Sequence, residues 1–92
     1  MQMVAAALSL DQVTSSQFAK MRHALGMDYK SKPWRNYYYC NANNAEWNDL
    51  VSKGFATKGE GHTEEKAYFS VTFEGAKLVY RKRMSKKYFD GL

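Results

Sequence analysis

Lys77, Arg81, Lys82, Arg83, Lys86 and Lys87 fall within eleven residues with no acid among them. Cations at that density suit one chemistry above others, the neutralisation of phosphates. A second basic run, Lys30, Lys32 and Arg35, surrounds Tyr29, Pro33 and Trp34. Cations interleaved with rings can grip a phosphate backbone while the rings stack on bases. Lys58 adds a further cation in a β-prone segment. Each pattern also has a plainer reading. Cations near a helix C-terminus complement its dipole. Trp34 and Tyr29 are expected to plug the core beneath a long loop, leaving the cations beside them solvated.

Other chemistries find less support. The chain has 92 residues, a net charge of +5 and a pI near 9.4, which fits one domain with a basic surface suited to nucleic acid, anionic lipid or an acidic protein face. Cys40 is the only cysteine, so no intrachain disulfide can form, as in a reducing compartment. Neither His23 nor His62 shares metal-ligand spacing with it, and no metal or other cofactor is expected. Gly59-Glu60-Gly61 is too short for a phosphate loop, and no acid/base pair or Ser/His/Asp arrangement emerges, so no enzyme activity is expected. The apolar run Met3–Leu10 is far too short to span a bilayer. These features predict a cytoplasmic protein that does not enter membranes.

The elements that must carry these residues follow from caps and periods. Residues 1–13 read as a tail or short helix. Thr14 and Gln17 form a capping box. Phe18, Met21 and Leu25 make one apolar stripe, and Gly26 suits a left-handed stop, which predicts a helix over Ser15–Leu25. Met27–Asn36 has no period, and Pro33 keeps Lys32 extended. Tyr37–Cys40 is a β-prone run whose alternate tyrosines would face in and out. Asn43 with Glu46 reads as a cap for a second helix bearing Trp47, Leu50 and Val51 and ending at Gly54. Phe55–Lys58 and Ala67–Thr72 read as a hairpin around the polar turn Gly59–Lys66. Tyr68, Ser70 and Thr72 share one face of it; Phe69, Val71 and Phe73 share the other. Thr72 caps a last helix whose inner face is Ala76, Val79, Tyr80 and Met84, running on through the basic residues. The expected fold is α+β: residues 14–92 form a small winged-helix-like domain, helices packed on a two- or three-stranded antiparallel sheet, with a basic C-terminal helix.

Two resemblances bear on this reading. The string Leu50-Val51-Ser52-Lys53-Gly54-Phe55, followed by a hairpin and Thr72-Phe73-Glu74-Gly75, resembles the recognition helix and wing of regulators of the multiple-antibiotic-resistance type. That resemblance implies a winged helix over Asn43–Val79. The sequence departs from it where the loop Met27–Ala42 replaces a helix. It departs again in charge, because Glu46 and Asp49 occupy the helix that would read bases and Glu60, Glu64 and Glu65 occupy the wing. Only Asn44 and Asn48 there are base-reading types. A wider pattern resembles small phage and prophage proteins of unknown function. It comprises Phe18-x-x-Met21-Arg22-His23-Ala24-Leu25-Gly26, Lys32-Pro33-x-Arg35-Asn36-Tyr37, Lys53-Gly54 and Thr72. It implies a phage or mobile-element origin, with the host cytoplasm as the place of action, and no activity.

The expected function is therefore that of a phage-type accessory protein binding DNA or RNA mainly through phosphates. The expected contacts are Lys30, Lys32, Arg35, Lys58, Lys77, Arg81, Lys82, Arg83, Lys86 and Lys87. The alternative is a protein that binds and modulates a host or phage protein, as a defence inhibitor does. Self-association is a third expectation, because a tyrosine-rich strand with an open edge can pair with its twin and Tyr88, Phe89 and Leu92 could bury against a neighbour. The Asn43–Val79 unit reads as scaffold, with Trp47, Leu50, Val51, Phe55, Phe69, Val71 and Val79 in its core.

Overall fold

A computed structural model describes residues 13–92; the expectation of a tail or short helix over residues 1–13 thus falls almost entirely outside the described residues. The first helix, α1 (Ser15–Ala24), begins at the capping box: the Gln17 amide donates to Thr14 Oγ1 at 3.0 Å, and the Thr14 amide donates to Gln17 Oε1 at 2.9 Å. It ends at Gly26, whose φ of +73° needs no Cβ to be accommodated. Strand β1 (Tyr38–Asn41) follows, then α2 (Ala45–Ser52), the hairpin β2 (Ala56–Glu60) and β3 (Lys66–Val71), and α3 (Phe73–Tyr80). A short helix, α4 (Lys86–Asp90), closes the chain. The sheet is antiparallel and three-stranded in the order β1-β3-β2. Among the described residues this is a small α+β, winged-helix-like arrangement, and the loop after α1 stands where the resemblance would require a further helix.

One apolar layer lies between the inner face of the sheet and the helices. Tyr38 pairs with Phe69 in β3, which pairs with Lys58 in β2. Phe69, Ala67 and Val71 are buried against Trp47 and Leu50 of α2, Met21 and Leu25 of the α1 end, and Ala76, Leu78 and Val79 of α3. Burial of a large apolar side chain contributes about 1.5–3 kcal/mol. Phe18, Val51, Tyr80 and Met84 join this core only in part. Leu78, absent from the expected inner face, is buried.

Two close approaches hold the layer together. Thr72 Oγ1 accepts from the Gly75 amide at 3.1 Å and donates to Gly54 O at 2.8 Å, so one hydroxyl caps α3 and ties it to the end of α2. A Cβ at position 75 would lie 2.4 Å from Phe55 O and 2.8 Å from Val71 Cγ1. The Thr-x-x-Gly motif is thus a cap plus the space for a helix to touch a backbone. Asn36 acts as an extra rung of the sheet: its Nδ2 donates to Val71 O at 2.8 Å, and its Oδ1 accepts from the Val71 amide at 2.7 Å.

Several boundaries differ from expectation. Asn44, not Asn43, caps α2, because its Oδ1 is the group that reaches the Trp47 amide, at 2.9 Å. The hairpin strands shift by a residue or two, and Phe73 turns from the expected strand face into the first turn of α3. The expected long basic helix is two pieces. Arg81 takes the left-handed conformation, φ 66°, and stops α3. Ser85 then caps α4 by accepting from the Tyr88 amide at 3.0 Å. Lys77 lies on α3, Arg81 to Arg83 on the connection, and Lys86 and Lys87 on α4.

Candidate nucleic-acid interface

The loop between α1 and β1 is anchored at both ends. The Trp34 amide donates to Leu25 O at 3.0 Å, and the Tyr37 amide donates to Ala24 O at 3.1 Å. Met27 and Pro33 are the loop residues that plug the core, both being buried. The two aromatic rings expected there do not. Tyr29 is 97% exposed and Trp34 is 53% exposed. The reason is local: Trp34 Nε1 donates to Gly26 O at 2.6 Å, which holds the indole across the end of α1 with one side in solvent.

The C-terminal helix returns to this loop. Tyr88 Oη donates to Pro33 O at 2.5 Å, and Lys32 Nζ stands 4.3 Å from the centroid of the Tyr88 ring. Two open grooves result, with Trp34 and Tyr88 shared between them. The first, about 480 Å³, is lined also by Lys30, Ser31 and Lys32. The second, about 590 Å³, is lined also by Ser85, Lys87, Gly91 and Leu92. Lys30 and Lys32 of the loop and the distant Lys87 of α4 therefore flank one pair of rings. The Arg35 guanidinium lies 5.3 Å from the Trp34 ring and 5.2 Å from Tyr37, with Nη2 donating to His23 O at 2.9 Å.

The remaining cations divide by partner. Arg81, Lys82 and Arg83 are exposed, with no side-chain hydrogen bond or ion pair among the described residues. Lys77 pairs with Glu74 at 3.4 Å and Lys86 with Asp90 at 3.0 Å. Both lie near the Phe73 ring, at 4.8 and 6.0 Å. Lys58 stands apart from the other cations. Its Nζ donates to Asn48 Oδ1 at 3.3 Å and lies 5.9 Å from the Phe69 ring, on the α2 side of the sheet.

The acids of α2 are engaged within the domain. Glu46 pairs with Lys20 at 3.4 Å and accepts from Ser16 Oγ at 3.0 Å. Asp49 accepts from Gln17 Nε2 at 2.9 Å and pairs with Lys53 at 2.9 Å. These contacts, Gln17 foremost, hold the Asp49 carboxyl below its ordinary range. Gln17 itself is buried and also donates to Glu46 O at 3.1 Å. Burial pushes the Cys40 thiol up against the opposing pull of Lys20 and Lys66, which makes it a poor nucleophile at neutral pH. Among the described residues, no group of three or more His, Cys, Asp or Glu converges as a metal site would require. Among the same residues no helix is long and apolar enough to cross a membrane.

Tyr88 and the sheet tyrosines are expected from the sequence to meet a second copy, not nucleic acid. The period-two alternation of Tyr37–Cys40 signals that some rings face outward, but only pairing with β3 sets which ones. Compared with family models, with curated proteins and with solved structures, the chain matches none.

Proposed function

We propose that this is a small accessory protein of the phage type its sequence resembles, acting in the cytoplasm of the host cell. It binds nucleic acid mainly through phosphates and without catalysis. The observation that carries this reading is the Tyr88–Pro33 hydrogen bond, which gathers Lys30, Lys32 and Lys87 around Trp34 and Tyr88. Ammonium groups on flexible stems beside exposed rings suit a charged backbone with flat bases better than they suit a small ligand. Arg81, Lys82 and Arg83, on the connection into the same helix, supply further charge without a carboxylate to neutralise it.

Fluorescence anisotropy with labelled oligonucleotides at low salt tests the reading. The wild type binds, and the triple variant K30E/K32E/K87E binds at least about tenfold more weakly, because a cation that no longer meets a phosphate no longer releases that phosphate's counterions. Equal binding by the triple variant, or no binding by the wild type, overturns it. Tyr29, 97% exposed on the same loop, favours one competing reading, in which the rings anchor a host or phage protein. That reading takes over if the wild type ignores nucleic acid and a nuclease-treated host lysate yields one partner that the variant Y29A fails to capture.

A further inference from the structure

The outer face of the sheet has no role in the phosphate contacts above, and its composition is unusual for a solvent-facing sheet. Tyr37, 50% exposed, and Tyr39, 38% exposed, flank Tyr68 on the central strand. The Tyr39 and Tyr68 ring centroids are 4.6 Å apart, and Tyr37 meets Tyr68 edge-on at 6.4 Å. His62 in the wing turn continues the row at 5.5 Å from Tyr39. Its amide donates to Tyr39 Oη at 3.3 Å, and its Nε2 lies 3.1 Å from Tyr68 Oη. On the other side of Tyr68 the register places Gly59, which leaves that flank of the ring without a side chain.

Acids lie beside this face and not on its outward strand positions: Glu64 of the wing turn shares a groove with His62 and Lys66. Glu60 is the only acid in the three strands, and it pairs with Ala67, whose side chain is buried on the helix side. The outward positions carry Lys66, its Nζ donating to Asn41 Oδ1 at 2.8 Å, and no carboxylate. At the other end the Arg35 guanidinium stands between Tyr37 and Trp34. The row of rings is therefore continuous, through Arg35, with the cationic grooves at Trp34 and Tyr88. A hydrophobic docking partner would have no use for the cations at the two ends of the row, Lys66 and Arg35. A duplex would not reach the rings, because its bases are stacked on one another. Unpaired bases present π-faces at every step, and their phosphates can reach the cations at the ends of the row.

We infer that the outer sheet face is a stacking platform for single-stranded nucleic acid, with Tyr37, Tyr39 and Tyr68 under the bases and Arg35 and Lys66 toward the phosphates. This rests on the nucleic-acid reading and narrows it to one class of ligand.

The test measures anisotropy with a labelled oligodeoxyuridylate, an oligouridylate and a mixed-sequence duplex of equal length. The proteins are the wild type, Y39L/Y68L and Y39F/Y68F. Either single strand binds the wild type at least about tenfold tighter than the duplex does, and the tighter of the two identifies the sugar recognised. The leucine pair loses about tenfold or more, in line with the loss of stacking, whereas the phenylalanine pair keeps its rings and stays within about threefold. Equal or tighter duplex binding, or a leucine pair that binds single strands like the wild type, overturns the platform and leaves the phosphate reading standing. No binding to any of the three overturns both. If the leucine pair does not fold, ultraviolet crosslinking of the wild type to the single strand replaces it. Crosslinks mapped to Tyr37, Tyr39 or Tyr68 support the platform, and crosslinks confined to Trp34 and Tyr88 overturn it.

Discussion

Gln17 shows how much one buried polar side chain holds in so small a domain. Its amide oxygen completes the cap of α1, and its amide nitrogen serves both Glu46 O and the Asp49 carboxylate. Replacing it by alanine strands a helix N–H and a partly buried carbonyl. We expect Gln17→Ala to lower the unfolding free energy by about 1–3 kcal/mol in urea titration at neutral pH. The pH dependence has a definite sign. A carboxyl held below its ordinary value contributes stability above that value and loses it as pH falls through the folded one. Removing Gln17 removes the chief cause of that depression. The wild type should therefore lose more stability than the variant as pH falls through and below the ordinary aspartate range, so the gap between them narrows in acid. A gap that widens instead would assign the coupling elsewhere. The capping box was legible because Thr14 and Gln17 are three residues apart and their bonds are local. The reach of Gln17 to α2 was not, because it depends on where a second helix docks.

Among the elements, the break between α3 and α4 decides where the basic run points. Were the helix continuous, Lys77 and Arg81 would share one side of it and Tyr88 would travel with them. Instead Arg81, in a conformation that disfavours a Cβ, turns the chain so that Tyr88 reaches Pro33 and Lys87 joins the loop. Left-handed backbone costs a non-glycine residue roughly 1–2 kcal/mol. Arg81→Gly removes that strain while freeing the unfolded chain, so it should leave the domain as stable or up to about 1 kcal/mol more stable in thermal melts. Its affinity for nucleic acid should fall and its salt slope should shrink by about 0.7, since one cation fewer meets a phosphate. A loss of stability with affinity intact would mean that Arg81 is structural. The break left no mark in the sequence that sets Arg81 apart from the residues around it. Glycine announces a left-handed stop, as Gly26 does, whereas arginine does not.

For the molecule as a whole, which cations are committed to carboxylates matters more than the net charge of +5. Lys77 and Lys86 have acid partners within 4 Å, while Lys30, Lys32, Lys87 and the Arg81–Arg83 stretch have none among the described residues. Single strands give a slope of about −0.7 in log affinity against log salt for each phosphate neutralised. About four to six such phosphates therefore predict a slope of about −3 to −4 in anisotropy titrations across salt. Lys77→Gln and Lys86→Gln should each leave it nearly unchanged, because exposed pairs of this kind already offset their charge. A flat salt dependence would remove phosphate contacts as the basis of binding.

The local features were readable from the chain alone: the Thr14 and Thr72 caps, the glycine stop at Gly26, the hairpin after Gly54 and the alternation of the tyrosine run. Each rests on bonds or periods spanning a few residues, and so does the inference of an α+β domain that packs Trp47, Leu50, Phe69 and Val79 together. The candidate surface is different in kind. Trp34 is held half in solvent by a carbonyl eight residues away, Tyr88 meets a proline from the opposite end of the domain, and Tyr39 and Tyr68 become neighbours through strand register. Residue type and spacing determined that this chain carries rings and cations in quantity. Which rings face water, and which cations stand beside them without an acid, only the tertiary structure decided, because exposure and pairing are set by contacts between segments far apart in sequence.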